Sequence, residues 1–194
     1  MTQPLQLLKQ LIDSIHPLPD DDWQALSRIW EPFAARRKEI LTTAGEREKY
    51  LYFVTSGVQR VYYFDAQGRE ATLVFTYAPS FGGVLDSLLL AQPSRYYYET
   101  LSPSAFLRAS AQDLQALMQV RPAVAAMVQM GVAQALSGVL ERLVEVQCYS
   151  SEDKFLQLLR RSPHILQLVP HKYLANYLGI DATNFSKLIN RVRI

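Results

Sequence analysis

The stretch that most constrains this chain runs from Val169 to Asn190. Leu174, Ala175 and Leu178 share one face of a helical repeat, and Phe185, Leu188 and Ile189 share one face of a second. Between them, Leu178-Gly179-Ile180 supplies the glycine on which a helix ends, because glycine takes a left-handed backbone without a Cβ clash. Asp181 or Thr183 then caps the next helix by accepting from an orphan N–H. Ala175 is small enough to let two helices cross steeply. A small residue, a glycine four positions on and a phenylalanine six after that is helix-turn-helix spacing. An ordinary core hairpin can share that spacing, and the outward face separates the two. Lys172, Lys187, Arg191 and Arg193 are basic, and Thr183, Asn184, Ser186 and Asn190 are short hydrogen-bonding side chains. Asp181 is the only acid from Lys154 onward. Such a face suits a phosphate-lined groove.

Charge is spread to match. The net value is +2, but residues 154–194 carry seven Lys/Arg against one acid, and residues 1–153 carry thirteen against seventeen. A basic end on a mildly acidic body points to a polyanion-binding module attached to something else. Cys148 is the only cysteine, which excludes a disulfide framework, a zinc cluster or an iron–sulfur cluster within one chain. It reads as a small packing residue before a redox sensor. A reduced, cytoplasmic compartment fits, and Thr2-Gln3-Pro4-Leu5 is no signal peptide. Pro122 to Leu140 is uncharged for nineteen residues, long enough for a membrane span. Gln129, Gln134 and Ser137 interrupt it, and many of its residues are Ala or Gly, so no membrane contact is expected. His16, His164 and His171 fall outside any nucleophile or metal-ligand pattern, so no enzyme, catalytic residue or metal site is expected.

Along the chain, Leu5, Leu8, Leu11, Ile12 and Ile15 predict an amphipathic helix over Pro4 to Ser14. Asp20-Asp21-Asp22 opens a second, with Trp23, Leu26 and Ile29 inward. From Phe33 to Ser110 the pattern is one of short strands: Glu39–Leu41, Tyr50–Thr55, Val58–Phe64, Glu70–Tyr77, Tyr96–Leu101 and Ala105–Ala109. Gly45, Gly57 and Gly68 mark turns. Regular short strands with turn signals predict an antiparallel double-sheet roll. Pro122 starts a long helix to about Gln147. Val128, Val132, Leu136, Val139, Leu143 and Val146 make its apolar seam, heptad-spaced over the last five. Ser150-Ser151-Glu152-Asp153 caps a helix over Lys154–Arg161, with a hinge at about Gln147–Ser151.

With these residues in place, "VPHKYLANYLGIDATNFSKLINRVR" resembles the DNA-binding end of the Crp/Fnr family of bacterial regulators, with Ser186-Lys187 where one branch carries Ser-Arg. "LYFVTSGVQRVYYFDAQGRE" is similar to the centre of a cyclic-nucleotide-binding β-roll, over about Trp23 to Leu117. The resemblance implies an α+β chain in three parts. Residues 1–121 form an antiparallel double-stranded β-roll sensor with flanking helices, 122–148 a dimerisation helix, and 149–194 a helix-turn-helix domain. The last lacks the full C-terminal wing that follows the recognition helix in many relatives. It implies a homodimeric transcription regulator that binds double-stranded DNA under control of a small anionic effector in the roll. The alternative is a ligand-binding or protein-interaction module with a vestigial DNA-binding domain.

By position, the resemblance assigns base contacts to Ala182, Thr183, Asn184 and Lys187, and phosphate contacts to Lys172, Ser186, Arg191 and Arg193. Lys187 can reach guanine, less specifically than an arginine fork. Cyclic-nucleotide-binding relatives use a Phe-Gly-Glu motif and a downstream Arg. Here the effector residues become Phe81, Gly82, Gly83, Val84, Ser94 and Arg95. Gly83 stands where the ribose-binding Glu belongs, so no cofactor is assigned, and a cyclic nucleotide lacks its sugar contact. An ungapped alignment puts Ser94 at the phosphate position, and one residue of slip turns a strand side chain to the opposite face.

Overall fold

The computed structural model describes residues 2–191. Two helices lead, α1 (Gln3–Ile15) and α2 (Asp20–Ser27), the second with three aspartates in the first turn, where the helix dipole favours them. Eight strands follow: β1 (Trp30–Ala35), β2 (Ile40–Thr42), β3 (Tyr50–Ser56), β4 (Val58–Phe64), β5 (Glu70–Tyr77), β6 (Ser80–Gly82), β7 (Tyr97–Thr100) and β8 (Ser104–Ser110). A short helix, α3 (Leu85–Leu90), separates β6 from β7. The strands form two four-stranded antiparallel sheets, ordered β1-β8-β3-β6 and β2-β7-β4-β5.

Alternation along the strands gives each sheet two different faces. In the first sheet, Trp30, Phe53, Leu107 and Ala109 join the core formed with Leu8, Ile12, Trp23 and Leu26 of α1 and α2. The alternate residues Tyr52, Val54 and Phe106 turn into the roll and meet Val61 and Tyr98 from the second sheet. There Tyr52 contacts Phe106 and Tyr98 with ring centroids 5.3 and 5.5 Å apart. The outer face of the second sheet brings Val58, Phe75 and Tyr77 into a third core with the C-terminal helices.

After the roll come α4 (Ala111–Val120), capped by Ser110 accepting from the Asp113 N–H at 3.0 Å, and the 27-residue α5 (Pro122–Cys148). Proline suits the first turn of α5, where its missing N–H has no partner to lose. Val124 and Met127 are buried, Val128 is half-buried against the core that α1 helps form, and Val132 is half-buried. Further along, Leu136, Val139, Leu140, Leu143 and Val144 are all 50–56 % exposed, and Val146 is exposed too. The expected seam therefore divides: Val128 packs on the chain's own core, Val132 is half-buried, and the last four residues face outward. The helices α6 (Ser151–Arg161), α7 (Ile165–Leu168), α8 (His171–Leu178) and α9 (Ala182–Arg191) complete the described chain. The side chain of Ser150 caps α6 by accepting from the Asp153 N–H at 3.1 Å.

Three differences from the sequence expectation have physical causes. A strand already begins at Trp30, ahead of the expected Glu39–Leu41, because Pro32 sits on an edge strand where its lost donor is tolerated. β6 has three residues and α3 has six, both too short to show a period. Ser110, expected as the end of the strand region, also caps α4, which was not assigned.

Candidate nucleic-acid interface and effector roll

The two last helices are joined by a tight turn. Gly179 has φ +65°, and the Ile180 N–H reaches back to the Ala175 carbonyl at 3.0 Å, satisfying an orphan acceptor of α8. Of the two candidate caps, Asp181 is the one that acts, accepting from the Asn184 N–H at 2.8 Å. Phe185 is buried edge-on against Phe155, with centroids 5.5 Å apart, and Leu174, Ala175, Leu178 and Leu188 close the core beneath.

Burying that side leaves the opposite face of α9 outward. Ala182, Thr183, Ser186, Lys187, Asn190 and Arg191 are exposed, and Asn184 is half-buried. The Ser186 hydroxyl donates to the Ala182 carbonyl at 2.9 Å. Arg191 lies 3.9 Å from Glu152 in an exposed pair. Lys172 is exposed at the start of α8, its Nζ 4.6 Å from the Tyr173 ring centroid. Arg193 lies outside the described residues. Among the described candidates, Ala182, Thr183, Ser186, Lys187 and Arg191 share the outward surface of α9, and Asn184 sits at its margin.

Sequence reasoning missed what the other side of α8 does. The Asn176 amide bonds the edge of β5 twice, accepting from the Thr72 N–H at 2.6 Å and donating to the Glu70 carbonyl at 2.7 Å. The side chain thus stands in for a neighbouring strand. Arg60, only 3 % exposed, donates Nε to Glu99 at 2.9 Å and Nη1 to Glu70 at 2.7 Å. Its guanidinium lies 4.0 Å from both the Tyr62 and Tyr173 ring centroids, between sheet and helix. Lys38 hydrogen-bonds both Glu99 and the Tyr173 hydroxyl. Burial opposes ionisation of Tyr173, but hydrogen bonds from Lys38 and Lys172 and the charges of Lys38 and Arg60 outweigh it, holding the phenol below its ordinary pKa. On the far side, Arg142 of α5 bonds the Tyr177 carbonyl, and Glu145 pairs with Arg142 at 3.1 Å and Arg161 at 2.7 Å. The helix pair is therefore fastened to both the roll and α5. The available signal was Arg60 as the one charge in β4; nothing in its sequence neighbourhood named a partner.

The six expected effector residues do not line one open space. Phe81 packs against Trp30 and Phe53, at 6.2 and 6.0 Å between centroids. Gly82 is buried directly beneath the Tyr98 hydroxyl, which leaves no room for a Cβ. The Val84 N–H is already donated, at 3.0 Å, to the carboxylate of Glu48. Ser94 is buried, its hydroxyl closing a local turn with the Tyr96 backbone, and Arg95 is exposed. The one-residue slip thus puts serine inside and arginine outside. One cleft, of about 250 Å³, lies at the mouth of the roll, lined by Phe33, Thr42, Tyr50, Tyr52 and Arg108 with Glu39, Glu46, Arg47 and Lys49 among others. The Arg108 guanidinium lies 4.2 Å from the Phe33 and Tyr50 ring centroids and donates to Glu31 at 2.8 Å.

Residues 33–121, the roll and α4, match the family model of the cyclic nucleotide-binding domain. The architecture extends further among solved structures. FixK2 from Bradyrhizobium japonicum superposes with a TM-score of 0.76 at 16 % identity, over 84 % of each chain. CLP, a c-di-GMP-responsive global regulator from Xanthomonas campestris, gives 0.68 at 13 % identity, over 90 % of this chain and 92 % of its own. The catabolite activator protein of Thermus thermophilus gives 0.56 at 22 % identity, over 91 % of this chain and 84 % of its own. At these identities the likeness is one of fold. Comparison with curated protein sequences finds no match.

Proposed function

We propose that this chain is a DNA-binding transcription regulator of Crp/Fnr type, acting as a homodimer and controlled through its roll. The carrying observation is the exposed polar and basic face of α9, with Thr183, Ser186, Lys187 and Arg191, held outward by a fully packed core. α8 would cross the phosphate backbone with Lys172, and α9 would enter the major groove as the recognition helix of a helix-turn-helix. Lys187 would read base edges, and Arg191 would hold phosphate. The outward leucine and valine stripe of α5 supports pairing with a second copy, which would bury it. A two-fold dimer would read half-sites about 34 Å apart. Control would run through the fastening of α8 to β4, β5 and β7: a small anion at the mouth of the roll, near Arg108 of β8, would have to shift the second sheet against the first to move α8.

Selection of bound DNA from a random pool at fixed salt, with competitor DNA, tests this reading. The expected product is an inverted repeat with half-sites one helical turn apart. No enrichment by folded, dimeric protein, with or without added anions, would favour a protein-interaction module instead.

A further inference from the structure

Glu48 is an unusual residue for the interior of a β-roll. It is 4 % exposed, and among the described residues no cation pairs with it. Four donors hold its carboxylate instead. The Thr42 hydroxyl and Val84 N–H reach Oε2 at 2.5 and 3.0 Å, and the Lys49 and Tyr50 N–H groups reach Oε1 at 3.0 and 3.2 Å. Both oxygens are thus doubly satisfied, and all four partners donate. Such a set suits an anion, with the Thr42 hydroxyl the one partner that can instead accept from a carboxylic O–H. The backbone is shaped around it. Gly83 has φ +109°, and a Cβ there would lie 3.3 Å from Oε2 and 3.2 Å from the Tyr50 carbonyl. A neutral amide in the same place would turn its NH2 group onto two of these donors, so the set is matched by a carboxylate.

We propose that these donors form an oxyanion seat that the chain fills with its own Glu48, and that Glu48 thereby bars a cyclic nucleotide phosphate from the roll. The proposal rests on reading the roll as cyclic-nucleotide-binding in type, since Gly83 and Val84 are positions which that resemblance assigns to the effector. A phosphate bound to the same N–H groups would meet a second anion at hydrogen-bond distance in a low-dielectric interior. Effector input to this chain then comes from outside that seat.

The test is chemical rescue. Glu48→Ala removes the equivalent of one acetate molecule and leaves the donors in place. Thermal denaturation of the full chain is followed in sodium acetate against sodium chloride at equal ionic strength. The expected result is a melting temperature lowered in the variant and raised by several degrees, saturably, by acetate, with no acetate-specific change in the wild type. Should the variant be unfolded in chloride, acetate is expected to restore its near-ultraviolet circular dichroism. Failure of acetate in whichever assay applies overturns the seat. Calorimetric titration of the wild type with cyclic AMP is expected to show no saturable heat, and saturable binding there overturns the exclusion. Neither readout uses DNA, so failure of the regulator reading leaves this result separately legible.

Discussion

Asn176→Ala isolates the fastening of the helix pair to the roll. The substitution removes two hydrogen bonds, from the Thr72 N–H and to the Glu70 carbonyl, and touches no residue on the outward face of α9. Each neutral bond contributes about 0.5–1.5 kcal/mol net, so docking should weaken by about 1–3 kcal/mol. Water can reach part of the freed edge of β5, which keeps the loss near the lower figure. Hydrogen exchange of the Thr72 amide reads this directly, because that N–H has its partner in the helix domain. Its exchange should accelerate by about 5- to 150-fold, while the Val61 amide in central strand β4 keeps its rate. An unchanged Thr72 rate would refute the strand-substitute role. Equal acceleration at Thr72 and Val61 would refute a local role, because it would mean that Asn176 supports the whole fold.

Three further outcomes are expected. Leu143→Glu places charge in the half-exposed stripe of α5 and should convert a dimer to monomer in light scattering, since each buried leucine is worth about 1.5–3 kcal/mol and is lost twice per dimer. Lys187→Ala should weaken selected DNA by about 1–3 kcal/mol but random DNA by less, in salt-matched titrations; equal losses would assign Lys187 to phosphate. Burial raises the Glu48 pKa above its ordinary 4.5 against the opposing bonds from Thr42, Val84, Tyr50 and Lys49. The folded state therefore holds that proton more tightly than the unfolded, and the stability Glu48 contributes falls as pH rises from about 4.5 to its raised folded value, then levels. Urea midpoints of wild type minus Glu48→Gln should decline across that window, and a pH-independent difference would count against it.

The legible parts of the chain were those with a period. α5, β4, β5 and the last two helices follow from their apolar residues, because each run is long enough to set a pattern, whether its apolar face is buried, as in α8 and α9, or outward, as along most of α5. The turn at Gly179 was legible for a different reason, namely that the positive φ a helix end needs is cheap only for glycine. What the period cannot supply is the identity of the surface opposite a face. Arg60, Thr72 and Glu99 fall on the outer side of their strands, where alternation alone reads as solvent. That side is covered by Tyr173 and Asn176, about a hundred residues away in sequence. The same gap explains Asn176, which looks like an ordinary helix-surface amide until β5 lies beside it.

The glycine pair in the roll shows what the chain itself brings to a stretch that the resemblance assigns to an effector. The resemblance assigns Gly82 and Gly83 to a bound effector, whose phosphate their N–H groups would meet. Close approach there is real, but the visitors are the Tyr98 hydroxyl above Gly82 and the Glu48 carboxylate beside Gly83. Both come from the chain itself, one from β7 and one from the loop before β3. A glycine constrains the room beside a backbone and carries no information on what occupies it. With Tyr52, Tyr98 and Phe106 packed together between the sheets, the roll has put side chains where a ligand would need space. The cleft at its mouth has Arg108 and the rings of Phe33, Tyr50 and Tyr52 together with Glu39, Glu46, Arg47 and Lys49, so it offers aromatic surface and charges of both signs, where Gly82 and Gly83 offer only backbone.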